Sequence, residues 1–376
     1  MNRHHALLLA LLGLVLARPA AATAPLAADL QALLDGFLAA NPIAPGVVAH
    51  VECPPLGLSW TGAAGHLAHD DPTPLDARCT FRIASNTKTY TAAAVLRLVE
   101  SGRLGLDDAL ASHLTPSERD LLAGDGYDLQ AITLRHVLGH TAGLADHSDG
   151  DTYGERIVAD LQYRWTRREV LEMCVELFDP VGAPGERYKY SDTGYVLLGS
   201  IVERSTGHPL GPAVRELLDY ESLGLCCTWW ETMEPAPPAV GPRAHQYLGR
   251  LDCTAADPSF DLYGGGGLVC DAQDLARFLR ALLAGRVLHE EATLAVMTGG
   301  GTPPYRLGLM CMELGGHLAW GHQGFWNTFA FQVPALDLTV AGAILNHDAT
   351  NGRVLAEALV ARLARAQADR EGGRRP

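Results

Sequence analysis

The strand-forming segments of this chain lie at its two ends, so one sheet can unite them only if the ends meet. Residues 46–52 and 56–65 read as two strands joined at Pro54-Pro55, and 307–313, 317–322, 328–333 and 338–345 as four more. Each is short and bounded by Gly, Pro, Asn or Asp. Between the two groups, residues 104–260 carry short helical patterns in loops rich in Pro, Gly and Asp. The arrangement predicts an α+β fold: one antiparallel sheet of five or more strands built from both termini, flanked by helices, with a mostly helical lobe inserted. Helices are expected at 29–39, where Leu30, Leu33, Leu34, Phe37 and Leu38 recur at helical spacing, and at 85–99, 194–204, 271–283 behind an Asp271 cap, and 353–366. The sheet lobe then comprises 26–80 and 270–368 and the helical lobe 81–269, in a single domain over 23–368.

Residues 1–22 read as an export leader, with Arg3, an apolar run over 6–17 and small residues ending Ala20-Ala21-Ala22, and residues 369–376 as a polar tail. The apolar run is too short to span a bilayer, and no later stretch approaches eighteen apolar residues. The expectation is an exported protein, periplasmic or secreted, with no integral membrane segment once the leader is removed. The formal net charge is −14, and losing Arg3 and Arg18 with the leader makes the remainder more acidic still. Nucleic acid and anionic membranes both require clustered Lys and Arg, so the expected partner is a small molecule or peptide; nothing in the sequence fixes the oligomeric state. Eight cysteines in an exported chain permit disulfides. Cys53 and Cys79, which flank neighbouring strand segments, are the pair expected to join.

Among 29 basic residues only Lys88 and Lys189 are lysine. Lysine persists where a site needs what arginine cannot do, such as giving up a proton near neutrality. Lys88 follows Ser85 by three residues at the head of a predicted helix, one turn apart on the same face. That spacing lets the amine touch the hydroxyl and activate it, while the helix N-terminus offers N–H groups to a developing oxyanion. Tyr190-Ser191-Asp192 places a phenol and a carboxylate on a loop: the phenol suits proton transfer, and Asp192 suits holding Lys88 in its cationic form. The plainer reading makes Asp192 a helix cap. His322-Gln323-Gly324 ends a predicted strand, where the glycine lets a substrate lie along the edge; the plainer reading is a hairpin turn.

Taken together, these three segments resemble the serine β-lactamase and penicillin-binding-protein family, in the branch of class C β-lactamases, D-alanyl-D-alanine carboxypeptidases, D-aminopeptidases and family VIII esterases. The likeness extends to Phe81-Arg82-Ile83-Ala84 before the serine, to Gly102-Arg103-Leu104-Gly105-Leu106-Asp107-Asp108, to His140-Thr141-Ala142-Gly143-Leu144, and over about 30–365 as a whole. It implies a β-lactamase/transpeptidase-like fold, a catalytic trio of Ser85, Lys88 and Tyr190 supported by Asp192, His322 and Gly324, and an oxyanion hole from the backbone N–H groups of Ser85 and Phe325, with no metal and no cofactor. The implied reaction is hydrolysis of a small amide or ester through an acyl-serine, of the D-alanyl-D-alanine carboxypeptidase or D-peptidase kind. Alternatives are a carboxylesterase, a β-lactamase and a non-catalytic binding protein on the same scaffold. Two departures bear on substrate: Asp192 stands where the family often has Asn, and an ionised carboxylate only accepts hydrogen bonds; Gln323 stands where a Thr hydroxyl often helps bind a substrate carboxylate.

Other signals carry less. His136 and His140 are four apart on a predicted helix, but Val137 occupies the place of a metalloprotease Glu, so packing or capping is expected. His66, His69, Asp70 and Asp71 read as a solvated loop. Gly264 to Gly267 lacks the Lys and Ser/Thr of a phosphate loop and reads as close backbone packing. No Gly-x-Ser-x-Gly elbow occurs, which argues against an α/β-hydrolase.

Overall fold

Val47, Val48, Ala49 and Val51 suit a strand buried on both faces, and that is how the chain uses them. In the computed structural model, which describes residues 20–299 and 304–372, the elements that build the sheet layers and position the site are α1 (Ala20–Ala39), β1 (Gly46–Cys53), β2 (Leu58–Gly65), α2 (Thr87–Glu100), α3 (Asp192–Thr206), α4 (Ala272–Leu283), β3 (Met310–Leu314), β4 (His317–Gly324), β5 (Thr328–Val333), β6 (Leu338–Ile344) and α5 (Gly352–Gly372). The six strands form one antiparallel sheet in the order β2-β1-β6-β5-β4-β3. The seam between the chain's two ends is the β1–β6 ladder, from Val47 opposite Ile344 to Glu52 opposite Thr339.

Alternation along the strands divides the interior in two. Val47, Ala49 and Val51 face the helices from the chain ends, packing in one core with Leu30 and Leu34 of α1, Leu355 and Leu359 of α5, and Phe329 and Phe331 of β5. Val48 faces the other way and joins a second core with Phe278 and Leu282 of α4, continuous with α2 and α3. The inserted region also holds a three-stranded sheet, Phe81–Arg82, Leu268–Cys270 and Trp229–Trp230. Strands of two or three residues carry no readable period, so sequence alone did not announce them.

Several expected features shift. The opening helix begins at Ala20 rather than residue 29, with Pro25 inside it. The leader expected over 1–22 otherwise lies outside the described residues. The last helix runs to Gly372 and takes in part of the expected tail, because Gln367 donates to Leu336 O (2.8 Å), Arg370 to Pro55 O (2.8 Å), and Arg362 pairs with Asp29 of α1. The expected Cys53–Cys79 bridge does not form: all eight cysteines are free. Cys53 belongs to the core under α1 and α5 and Cys79 to the core under α2 and α4, so the sheet separates them. Among the described residues no helix is long and apolar enough to cross a membrane.

Phe331 is fully buried between β5 and its neighbours. Truncation by Phe331→Ala is expected to lower the unfolding free energy by about 3–5 kcal/mol through lost burial and the cavity left behind, measured by urea denaturation.

Candidate active site

The nucleophile candidate sits on a fastened turn. Ile83 donates to Leu268 O (3.0 Å), Arg82 is clamped by Glu231 (2.6 Å), Cys253 O (2.9 Å) and Ala256 O (2.6 Å), and Asn86 Nδ2 bonds both Ile83 O (3.0 Å) and Thr328 Oγ1 (3.0 Å). These contacts hold Ala84 at φ 45°, a left-handed conformation that costs a non-glycine residue about 1–3 kcal/mol. The helix opens with a 3-10 turn, Ala84–Asn86, that carries Ser85 into α2.

Lys88, fully buried, lies one turn on and donates to Ser85 Oγ at 3.1 Å and to Gly265 O at 2.8 Å, and pairs with Asp192. Its nitrogen lies 5.1 Å from the Tyr190 ring centre and 5.6 Å from that of Tyr195. Asp192 is not the cap of α3. Ser191 is, accepting from Gly194 N–H, which leaves the Asp192 carboxylate to Lys88. Burial pushes that carboxyl up, but Lys88 outweighs it, with help from His147, and holds the group at about 2. The glycine run is what permits this approach. A Cβ on Gly265 would lie 3.3 Å from both Lys88 Nζ and the Asp192 carboxylate, and one on Gly264 would meet Tyr195 O at 2.3 Å.

Burial, and then Asp192, push the Tyr190 phenol well above its ordinary range against a smaller downward pull from Ser85, so it is neutral. His140 and His322 flank it, with ring centres 4.3 Å and 6.3 Å away. His322 Nδ1 donates to Gln323 O (2.6 Å), which leaves Nε2 to accept from the Tyr305 hydroxyl (2.9 Å). Burial and the Lys88 charge hold His322 neutral, down at about 3. Gly324 passes so close to the nucleophile turn that a Cβ there would meet Ile83 O at 2.3 Å. Phe325 follows it, half-exposed and stacked on His347 at 4.2 Å. Gln323 turns its amide to Asn351 (2.6 Å).

His136 and His140 do not share a helical face. The helix Leu134–Leu138 ends between them: His136 caps it through Thr133 N–H, and His140, at φ 56°, accepts from Ser191 N–H (3.1 Å). Sequence reasoning passed over Tyr305, Ser148, Asp146 and Asp261, whereas His140 was expected to pack or cap, and its ring packs against Tyr190.

Ser85 and Asp192 open onto a cavity of about 230 Å³ walled by Ile157, Leu161, Leu248, Phe260 and Trp326, with Phe325 and Val158 at its edge. Ser148 and Asp261 also line it, and no Lys or Arg is among the lining residues. The grouping of possible metal ligands among the described residues, Cys226, Cys227 and Asp274, contributes nothing to this cavity.

Residues 55–366 match the Beta-lactamase family. The chain belongs to that family. Esterase EstB of Burkholderia gladioli is 31% identical over 290 residues, 69% of this chain and 71% of the esterase. A putative penicillin-binding protein, PbpX of Bacillus subtilis (strain 168), is 25% identical over 61% of this chain, which spans about half (53%) of that relative's length. Among solved structures, a D-stereospecific amidohydrolase from Streptomyces sp. superposes with a TM-score of 0.76 at 28% identity, covering 88% of this chain and 98% of the other.

Asp192→Ala leaves the Lys88 charge buried and unpaired, and is expected to cost about 3–5 kcal/mol of unfolding free energy at pH 7, measured by urea denaturation. The linkage carries a sign. Asp192 is lowered in the folded state, so its contribution is complete above an unfolded pKa of about 3.9 and is lost as pH falls through about 2. Asp192→Asn is expected to flatten stability across that acid window.

Proposed function

We propose that the protein is a serine hydrolase that cleaves small amides, and esters of the same acyl groups, through an acyl-Ser85 intermediate. The observation that carries this is Ser85 on an apolar cavity, hydrogen-bonded by Lys88, whose nitrogen in turn lies over the Tyr190 ring. Lys88 commits its three donors to Ser85 Oγ, Gly265 O and Asp192, so it acts as a fixed positive charge beside the attacking oxygen. Tyr190 is a neutral phenol, and a neutral phenol can relay: it accepts the Ser85 proton as it delivers its own to the leaving nitrogen or oxygen. The carbonyl carbon gains the Ser85 Oγ bond and loses the leaving group. Water then repeats the exchange in reverse, releasing the acid and restoring Ser85. The backbone N–H groups of Ser85 and Phe325 serve the oxyanion.

The cavity's charge bears on substrate. A D-alanyl-D-alanine carboxypeptidase must hold a terminal carboxylate, whereas this cavity is lined by the carboxyl groups of Asp192 and Asp261 and by no cationic side chain. Gln323 is turned away to Asn351, and His322 is neutral. Like charges placed together disfavour such a substrate. Amide or ester substrates without that carboxylate fit, in keeping with a relative named an esterase and a structural neighbour named an amidohydrolase.

Phenylalanine amide of either hand and p-nitrophenyl butyrate are expected to turn over, and an acyl-D-Ala-D-Ala tripeptide about 10-fold less well or worse in kcat/KM. Ser85→Ala is expected to abolish the acyl adduct seen by intact-mass spectrometry. Tyr190→Phe is expected to lower kcat about 10²–10⁴-fold while the fold is kept. No turnover of any amide or ester, with no adduct on Ser85, would refute the assignment.

A further inference from the structure

Three carboxylates gather behind the nucleophile, and two of them are occupied. Asp192 is paired with Lys88. Asp146 accepts from Ser148 N–H (3.0 Å) and from the Ser148 hydroxyl (2.9 Å), and is 3% exposed, shut off from the cavity. Asp261 is different. It lines the cavity, and no hydrogen-bond donor among the described residues reaches its carboxylate.

The position of Asp261 is built, not incidental. It ends the 3-10 turn Pro258–Asp261, which is capped by Asp257 and tied down where Tyr153 OH donates to Phe260 O (2.8 Å). Gly266 makes room for it, since a Cβ there would lie 2.0 Å from the Asp261 carboxylate. The surrounding walls, Ile157, Leu161, Leu248 and Phe260, offer it no polar partner. An unpartnered carboxylate against apolar walls is costly unless a cation arrives to pair with it.

We propose that Asp261 selects substrates bearing an ammonium group beside the scissile carbonyl, so that the preferred substrates are amino-acid amides or esters with a free α-amine and an apolar side chain. This rests on the acyl-Ser85 reading above. Asp261 and Ser85 line the same cavity, so a substrate whose carbonyl reaches Ser85 can turn its α-ammonium to Asp261 and its side chain to the apolar wall. A cavity of about 150 Å³ suffices for benzene, and the roughly 230 Å³ here admits an aromatic side chain. Lys88 and Asp192 cancel one another, which leaves Asp261 as the charge still to be met. Burial, and then Asp192, push its carboxyl up to about 7 against the opposing pull of Lys88 and Arg82, with Asp146 adding to the rise; a bound ammonium would favour its ionised form. The neighbouring Tyr153 phenol is pushed well up and stays neutral.

The test compares phenylalanine amide with 3-phenylpropanamide, which lacks only the amine. The protein is expected to favour the amine by at least about 10-fold in kcat/KM, and Asp261→Asn to bring the ratio close to one. For phenylalanine amide kcat/KM is expected to gain a limb rising through about pH 7 as Asp261 ionises and a fall at about pH 8 as the substrate's α-ammonium loses its proton, both of which 3-phenylpropanamide lacks. Equal use of both amides by the parent, or an Asp261→Asn variant that loses both in proportion, would overturn the proposal. If the parent cleaves neither amide, the hydrolase reading fails by itself. The anchor is then judged by binding of 2-phenylethylammonium to Ser85→Ala in a thermal-shift assay: binding lost on adding Asp261→Asn or Asp261→Ser supports it, and absent or unchanged binding overturns it.

Discussion

A lysine with no exposure to solvent must find its counter-charge and hydrogen-bond acceptors inside the protein, and the ion pair of Lys88 with Asp192 is the constraint around which the site is arranged. Removing two charges from water costs several kcal/mol per ion, repaid only when geometry is good and the remaining donors are satisfied. The chain meets that condition with backbone as well as side chains. Gly265 supplies a carbonyl, Ser191 takes over the capping of α3 so that Asp192 is free, and Gly264 lets the loop press against Tyr195. Each of these choices is local, yet they belong to three segments far apart in sequence, which meet only because the inserted region folds onto α2.

The sheet supplies the opposite wall. β4 must run close enough to the Ser85 turn to put Phe325 beside it, and the closeness is achieved by having no side chain at Gly324 and by bonding Thr328 of β5 to Ile83 O (2.9 Å) and to Asn86 (3.0 Å). Because β4 is in register with β5, and β5 with β6, the seam between the chain's two ends fixes the width of the site. A strand slipped by one residue would turn every side chain to the other face, so the two cores that lock the register also lock the chemistry.

What could be read from the sequence follows how local the cause is. Ser85 and Lys88 are one helical turn apart, and that proximity is a property of helices, legible without a fold. The six sheet strands were legible because each exceeds four residues and is bounded by Gly, Pro, Asn or Asp. The Cys53–Cys79 bridge was misjudged because neighbouring strands say nothing about which face each thiol takes, and these two take opposite faces. Tyr305 and Asp261 were invisible for a different reason. Tyr305 stands in an isolated bridge to Met310 and matters only because His322 arrives next to it, and Asp261 ends an ordinary capped turn whose importance lies in the apolar walls that close around it. His140 was visible as a motif and was expected to pack or cap rather than bind metal, and its ring does pack on tyrosines while its Nδ1 accepts a backbone N–H.

Asp192 in place of the amide that often follows this motif changes the chemistry available to the site. An asparagine would leave the lysine amine without a full counter-charge, free to exchange its proton with the nucleophile. Asp192 instead sets a full counter-charge against Lys88. In the mechanism we propose, proton movement then falls to Tyr190, whose phenol burial holds neutral. A neutral relay in which one proton arrives as another departs avoids forming a tyrosinate in a poorly solvated place, and it demands that leaving group, phenol and serine be aligned at once. Such alignment is a demand on shape, and it is the apolar cavity, not the charged trio, that must supply it.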